Sequence, residues 1–206
     1  MFNLSEEPEV QTVAITNKRG SGKSLTLAWA GYCYKERDIP VSSNMGGMGW
    51  WAAYQPDPVL MFSQPGVLLG DEFYVPADRR ASMTWDVRDL GYLMAQGRKP
   101  GKGKYPNITF VALPWNLQKL GAVDIRIEPF FDWEWMPVLY REQDMLVVYR
   151  EKIEDGRRTK HEPLIIPFPL TRGYGNLFDT YEKIIPPRMR RHLEKTGSNT
   201  LEAYNA

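Results

Sequence analysis

One short glycine-bearing segment restricts what this chain can fold into more than any other part of its sequence. Residues Ala14–Leu25 read AITNKRGSGKSL, and from Asn17 onward they are close to the pattern G-x-x-x-x-G-K-[ST]. A short apolar strand, Gln11–Thr16, precedes the turn, and Ser24–Lys35 has the Ala, Leu and Trp content of a helix packed on a sheet. In this strand–turn–helix context the pattern binds the phosphates of a nucleoside triphosphate. A glycine turn with an incidental lysine is the alternative, and the flanking elements argue against it.

Each residue type in this loop has a predicted task. Gly20 and Gly22 keep side chains away, so that backbone N–H groups and the positive end of the following helix can face a phosphate. Lys23 would bridge the β- and γ-phosphates of ATP, and Ser24 would place its hydroxyl on Mg²⁺. Asn17 replaces the first glycine of the pattern, and asparagine is the residue next most tolerant of left-handed backbone angles. The predicted nucleotide-binding residues are Asn17, Lys18, Arg19, Gly20, Ser21, Gly22, Lys23, Ser24 and Leu25.

A second half of the site is predicted where another apolar strand ends. The run Gly66–Gly70 is followed at once by Asp71 and Glu72. Asp71 would hold the Mg²⁺ shell, through water or through Ser24, and Glu72 would orient and polarise the attacking water. Adjacent carboxylates can instead cap the N-terminus of a helix, Asp71 especially. Together with the phosphate loop, a glutamate at this position favours attack by water and therefore hydrolysis.

The apolar pattern predicts an α/β fold. Strands are expected at Ile39–Ser43, at the fully apolar run Gly66–Gly70 and at Asn107–Leu113, and they alternate with segments of helical spacing such as Ser82–Gln96. This alternation is typical of a mostly parallel central sheet that is covered on both faces.

From about Phe130 the pattern changes to that of a β-hairpin, with strands at Met145–Arg150 and Leu164–Phe168 and a turn at Glu154–Gly156. We expect this hairpin to be a small appendage toward the C-terminus. The expected organisation is a single domain over residues 1–206, with a core at 11–128, a β-rich appendage at 130–170 and a C-terminal helix and tail at 177–206.

The composition restricts the possible binding partners more than it restricts the fold. The formal net charge of +1 means that contact with nucleic acid would need local basic clusters. Cys33 is the only cysteine and the two histidines, His161 and His192, stand apart, which excludes an internal disulfide and argues against a zinc centre. No apolar run approaches the roughly 20 residues of a membrane span, and the first ten residues are acidic rather than signal-like, so a cytoplasmic protein is expected.

Further segments are similar to those of a known family. They are RDIPVSSNM (Arg37–Met45), GDEFYVPADRRAS (Gly70–Ser82), LMAQGRKPGKGKYPNITFVAL (Leu93–Leu113), AVDIRI (Ala122–Ile127) and LFDTYEKI (Leu177–Ile184). In this order, together with the phosphate loop, they resemble the FtsK–HerA branch of P-loop ATPases, particularly Zot-like proteins and the genome-packaging ATPases of membrane-containing viruses. The resemblance implies a three-layer P-loop NTPase of the ASCE/RecA-like class.

What this resemblance further implies is a ring-forming motor, expected to be hexameric, that translocates or packages DNA. In such rings an arginine of the adjacent subunit completes each site, because charge on the γ-phosphate needs a desolvated cation in the transition state. Arg98 is the first candidate, followed by Arg126, Arg79 and Arg80, and ordinary surface salt bridges are the alternative for each. The family often ends its fourth strand in a polar sensor, commonly glutamine, and here Asn116 is the candidate.

Two basic clusters and the tryptophans are candidates for contact with DNA. The turn Gly97–Lys104 and the run Arg188–Lys195 could follow a phosphate backbone without reading bases, although such runs are more often solvated surface. Tryptophans can stack on bases, but packing in a core or an interface is commoner, and we expect Trp50 and Trp51 at a subunit interface.

Three functions follow from these observations. The first is a DNA-translocating ATPase, in particular a viral genome-packaging ATPase, located in the host cytoplasm or associated with the virion, with capsid or membrane-associated assembly proteins as further partners. The second is a Zot-like phage assembly or export ATPase, although longer members of that family carry a transmembrane segment that this chain lacks. The third is a small nucleotide or metabolite phosphotransferase, for which Gly97–Lys104 is too short to form a lid.

Overall fold

The computed structural model describes residues 11–57, 60–61, 63–71, 108–114, 131–143 and 145–167. Within these ranges the chain forms eight strands of a single sheet, a 13-residue helix and a short 3-10 turn. In chain order the elements are β1 (Gln11–Asn17), α1 (Lys23–Lys35), β2 (Val41–Ser43), the 3-10 turn (Gly46–Met48), β3 (Ala53–Tyr54), β4 (Val67–Gly70), β5 (Ile108–Pro114), β6 (Trp133–Tyr140), β7 (Met145–Glu154) and β8 (Arg157–Pro167).

The strands lie in the order β3-β2-β4-β5-β1-β6-β7-β8. Every pairing from β3 to β6 is parallel, and β7 and β8 continue the sheet in antiparallel fashion. The predicted α/β class with a mostly parallel sheet is therefore confirmed. Because β1 and β4 run in the same direction with only β5 between them, their carboxyl ends meet at one edge of the sheet. That edge is where a parallel sheet binds ligands.

The central strands are buried on both faces, as their continuous apolar sequences require. Leu68 and Leu69, which point to opposite faces of β4, are both buried. On one face α1 packs so closely that an added Cβ on Gly31 would lie 2.4 Å from Cδ1 of Leu69. The predicted helix at 82–96 and the C-terminal helix and tail lie outside the described residues.

The C-terminal hairpin forms around the predicted turn, but its strands extend closer to that turn than predicted, to Glu154 in β7 and from Arg157 in β8, and it is continuous with the central sheet. Asp155 and Gly156 form the two-residue turn between β7 and β8, with φ of 48° and 75°, and positive angles at both positions are those of a type I′ turn. The hairpin was expected to be a small appendage, but it is joined to the core sheet, because β6 pairs with β1 over Val13–Ile15 and Trp133–Trp135. The pairing satisfies backbone groups of β1 that would otherwise lie at an open sheet edge.

Candidate phosphate and metal site

The predicted phosphate loop connects the end of β1 to the start of α1. Gly20 and Gly22 have φ of +76° and +96°, in the region that side chains rarely adopt. A side chain at position 22 is disfavoured for a second reason, because an added Cβ would lie 3.0 Å from Cδ1 of Leu146. The N–H of Ser21 donates to the carbonyl oxygen of Lys18 at 3.3 Å, which closes the turn before α1 begins at Lys23. The strand, turn and helix thus stand where the pattern predicts them.

Other residues of the loop differ in how accessible they are. Lys18 and Arg19 are exposed at its tip, whereas Leu25 is partly buried against the hydrophobic core. Ser21 is buried, and within the described ranges its hydroxyl has no hydrogen-bond partner. An unsatisfied buried hydroxyl is costly, and a bound phosphate oxygen would satisfy it.

Asn17 does not use the left-handed tolerance that its place in the pattern suggests. Its φ is 159°, close to the extended region and far from the left-handed helical value of roughly +57°. Its side chain instead makes two hydrogen bonds, accepting from the N–H of Lys18 at 2.7 Å and donating from Nδ2 to the carbonyl oxygen of Pro137 at 2.7 Å. Asparagine therefore serves here as a side-chain link between the loop and β6.

Lys23 lies over the start of the loop. Its Nζ donates to the carbonyl oxygens of Asn17 and Lys18, both at 3.0 Å. These are neutral acceptors, and hydrogen bonds from an ammonium group to phosphate oxygens are stronger because both partners are charged. Phosphate oxygens can therefore displace these two carbonyl contacts.

The two predicted metal ligands meet in the structure. Ser24, in the first turn of α1, donates its hydroxyl to Oδ2 of Asp71 at 2.7 Å, although the two residues are 47 positions apart. Asp71 is only 7% exposed and follows β4 directly. A serine hydroxyl and a carboxylate are hard oxygen donors of the kind that Mg²⁺ prefers, with phosphate oxygens and water completing its shell. The residues present therefore fit a magnesium ion bound together with a nucleotide.

Asn44 fixes the backbone of Asp71, a role that the sequence did not indicate. Its Oδ1 accepts from the N–H of Asp71 at 2.8 Å, and its Nδ2 donates to the carbonyl oxygen of Asp71 at 2.8 Å. The side-chain amide thus continues the β2–β4 pairing beyond the last strand residues. The only signal in the sequence was a polar residue directly after a buried strand.

Another contact that sequence reasoning missed lies behind the loop. The buried hydroxyl of Thr16 donates to Oε1 of Glu134 at 2.6 Å, and Arg158 of β8 donates to Oε2 of the same carboxylate. Burial lowers the pKa of the Arg158 guanidinium, but the carboxylates of Glu134 and Glu151 together raise it above its usual value. The arginine is therefore cationic and neutralises a carboxylate inside the sheet.

Several predicted site residues cannot be placed. The catalytic candidate Glu72, the finger candidates Arg98 and Arg126 and the sensor candidate Asn116 lie outside the described residues, as do Arg79, Arg80 and the basic clusters at 97–104 and 188–195. Their roles stay predictions.

The two adjacent tryptophans do not share one environment. Trp51 is buried, with its ring 5.7 Å from that of Tyr32 in an edge-on contact. Trp50 is 66% exposed. The expectation that both lie at a subunit interface is therefore wrong for Trp51, which belongs to the core of this chain.

Comparison of the sequence with family models and with curated proteins gives no match. Among solved structures, the chain is similar to one described as the ATPase domain of G40P, with 12% sequence identity over 84% of this chain and 85% of that chain and a TM-score of 0.39. At that TM-score the similarity supports no argument about function, which rests on the site itself. Within the described residues, no helix is long and apolar enough to cross a membrane.

Proposed function

We propose that this chain is an Mg²⁺-dependent ATPase whose phosphate site is the loop between β1 and α1. The observation that carries the proposal is the hydrogen bond from Ser24 to Asp71. It joins the first turn of the helix that follows a glycine loop to the end of a buried parallel strand. A hydroxyl and a carboxylate held together at that edge of a sheet provide the protein ligands that an Mg²⁺–nucleotide complex requires.

The described residues of the site have different roles in binding. Gly20 and Gly22 adopt the positive φ that this tight turn requires, and the N-terminus of α1 adds a positive field for a phosphate. Lys23 exchanges its two carbonyl contacts for the β- and γ-phosphates. Ser24 and Asp71 would hold Mg²⁺, and the bound ion would offset the charge that develops on the phosphate oxygens during hydrolysis.

Hydrolysis itself is assigned to Glu72 as the residue that orients the attacking water. Support comes from its neighbour in sequence, since the N–H and the carbonyl oxygen of Asp71 are both hydrogen-bonded to the side chain of Asn44.

The use of this hydrolysis is proposed to be movement of DNA, as in viral genome packaging. The support is the sequence resemblance to FtsK–HerA ATPases, which also suggests a homo-oligomeric ring in which Arg98 or Arg126 reaches the neighbouring site and Asn116 acts as sensor. A Zot-like assembly or export ATPase would use the same site. Capsid or membrane-associated assembly partners, and a place in the host cytoplasm or the virion, belong to the same proposal.

The test is an ATPase assay with and without Mg²⁺ on the wild type and on Ser24→Ala. We expect Mg²⁺-dependent phosphate release from the wild type and its loss in Ser24→Ala. Ser63→Ala is the matched control, because Ser63 is an exposed serine whose hydroxyl contacts only the carbonyl oxygen of Leu60 among the described hydrogen bonds. Equal rates in all three proteins would overturn the metal site, and transfer of phosphate to a small acceptor would favour a phosphotransferase.

A further inference from the structure

A network of four polar side chains, buried at Thr16 and Glu134 and partly exposed at Glu151 and Arg158, runs from the phosphate loop to the outer hairpin. Thr16, 3% exposed, donates to Glu134, which is 4% exposed, and Glu134 accepts from Arg158 on β8. Arg158 also donates to Glu151 of β7 at 3.3 Å. The network thus crosses three neighbouring strands beyond β1, and its members are far apart in sequence.

This polar network lies on the sheet face opposite to α1. The ring of Trp135 is 5.3 Å from that of Phe110, which is 6.1 Å from that of Tyr34 on α1. Side chains alternate along a strand, so Glu134 faces the other way from Trp135. The polar network therefore reaches the phosphate loop from the face of the sheet that α1 does not cover.

Stability alone does not account for an ion pair in this place. Removing the carboxylate of Glu134 from water costs several kcal/mol, on the order of what its hydrogen bonds and its attraction to the partly exposed guanidinium of Arg158 return. Apolar side chains of similar volume would stabilise the strands as well or better. What a fully hydrogen-bonded buried carboxylate does provide is a fixed position for each of its donors, here Thr16 and Arg158.

Side chains fasten the loop to β6 where the backbone pairing stops. The β1–β6 ladder pairs Val13–Ile15 with Trp133–Trp135 and goes no further. The next two residues of β1 are held by side chains instead, Thr16 by Glu134 and Asn17 by the carbonyl oxygen of Pro137 at 2.7 Å. The entry to the phosphate loop therefore depends on β6.

The exit of the loop rests on the same part of the sheet. An ideal Cβ on Gly22 would lie 3.0 Å from Cδ1 of Leu146 on β7 and 3.8 Å from Cβ of Leu139 on β6. The start of the loop is thus hydrogen-bonded to β6, and its end lies close to both β6 and β7. Arg158 lies two residues beyond the Asp155–Gly156 turn of the outer hairpin. A displacement of the hairpin reaches the loop through a short series of charged and packed contacts.

We propose that Thr16, Glu134 and Arg158 are positioning residues for the phosphate loop, and that they couple the β7–β8 hairpin to nucleotide binding. The inference rests on the proposed function, since it assumes that the loop binds a nucleotide. Coupling of this kind is reciprocal: a hairpin that holds the loop in its binding geometry must itself be held when the loop is occupied.

The first test measures affinity for a fluorescent, non-hydrolysable ATP analogue with Mg²⁺. Thr16→Val keeps the shape of the side chain and removes its hydroxyl, and we expect the Kd to rise about tenfold, since a hydrogen bond to a charged group contributes on this order. Thr16→Ser restores the hydroxyl and most of the affinity. Arg158→Met lowers affinity in the same direction although Arg158 is remote from the loop, whereas Arg157→Met, an exposed arginine of the same strand, does not.

The second test needs no variant and so does not depend on how the substitutions fold. Amide hydrogen exchange of the wild type is followed with and without the analogue and Mg²⁺. We expect slower exchange both at the loop, residues 17–22, and in the hairpin around Arg158. Protection confined to the loop would overturn the coupling, as would Thr16→Val and Arg158→Met variants that bind as tightly as the wild type. A wild type that binds no analogue would instead overturn the proposed function.

Discussion

At the scale of single residues, the candidate site depends on side chains that hold other groups in place. Asn44 mimics a strand neighbour for Asp71, and Asn17 links the loop to β6. Both are asparagines directly at or after the end of a strand, where the backbone ladder can no longer fix the chain. An amide that both donates and accepts is suited to this position, because it satisfies a backbone N–H and a carbonyl oxygen together.

Loss of the Asn44 amide should act on the metal rather than on the nucleotide. In Asn44→Ala the backbone of Asp71 loses two hydrogen bonds, and we expect affinity for Mg²⁺ to fall by about tenfold or more, as for other residues that orient a metal ligand. Titration of ATP hydrolysis with Mg²⁺ measures it. Gln55→Ala is the control, because the amide oxygen of Gln55 accepts from the N–H of Asp57 and not from Asp71. An unchanged Mg²⁺ dependence in Asn44→Ala would show that Asp71 needs no such support.

Glu72 provides a separate prediction, about chemistry rather than binding. Glu72→Gln keeps the size of the side chain but cannot polarise water as a carboxylate does, so nucleotide binding should persist while turnover stops. Binding of the ATP analogue and phosphate release, measured on the same preparation, separate the two effects. Normal turnover in this variant would remove Glu72 from its assigned role.

At the scale of elements, what the sequence predicted was local and what it missed was long-range. The loop between β1 and α1 follows from glycine spacing, and the turn at Asp155–Gly156 follows from a dipeptide that suits positive φ at both positions. The attachment of β6 to β1 joins residues 120 positions apart, and no periodicity encodes such a partner. Likewise, pattern alone did not show that Trp51 would be buried and Trp50 exposed.

The contact between α1 and β4 allows a prediction about packing. Gly31→Ala should favour the helix by about 1 kcal/mol through propensity. The added Cβ would lie 2.4 Å from Cδ1 of buried Leu69 and 3.1 Å from the ring of Trp51, and such overpacking costs about 1–3 kcal/mol. We therefore expect a net loss of stability in thermal unfolding. The exposed helix residue Lys35, changed to alanine, is the control, and a Gly31→Ala protein more stable than the wild type would contradict this packing.

At the scale of the whole molecule, charge and topology constrain the proposed motor. A net charge of +1 gives no general attraction to nucleic acid, so any contact with DNA must come from local clusters such as those at 97–104 and 188–195. The sheet brings the phosphate loop, Ser24 and Asp71 to one edge, while the hairpin extends the sheet on the far side of β1. A ring that moves DNA is compatible with this arrangement and is proposed on the sequence resemblance.

That proposal predicts two linked properties of the intact protein. DNA should raise the rate of ATP hydrolysis, and the mass in solution should increase with protein concentration in the presence of nucleotide. ATPase assays with single- and double-stranded DNA, alongside light scattering, measure both. A protein that stays monomeric and hydrolyses ATP at the same rate with and without DNA would contradict the motor while leaving the ATPase site intact.

The central claim, that the loop between β1 and α1 binds the phosphates of ATP, is tested most directly by calorimetric titration of the protein with a non-hydrolysable ATP analogue and Mg²⁺. The wild type should bind, and Lys23→Ala should bind at least about tenfold more weakly, because it removes a charged donor to phosphate. Lys35→Ala, at the exposed far end of the same helix, should bind like the wild type. Equal binding by the wild type and Lys23→Ala, or no binding by the wild type, would contradict the account.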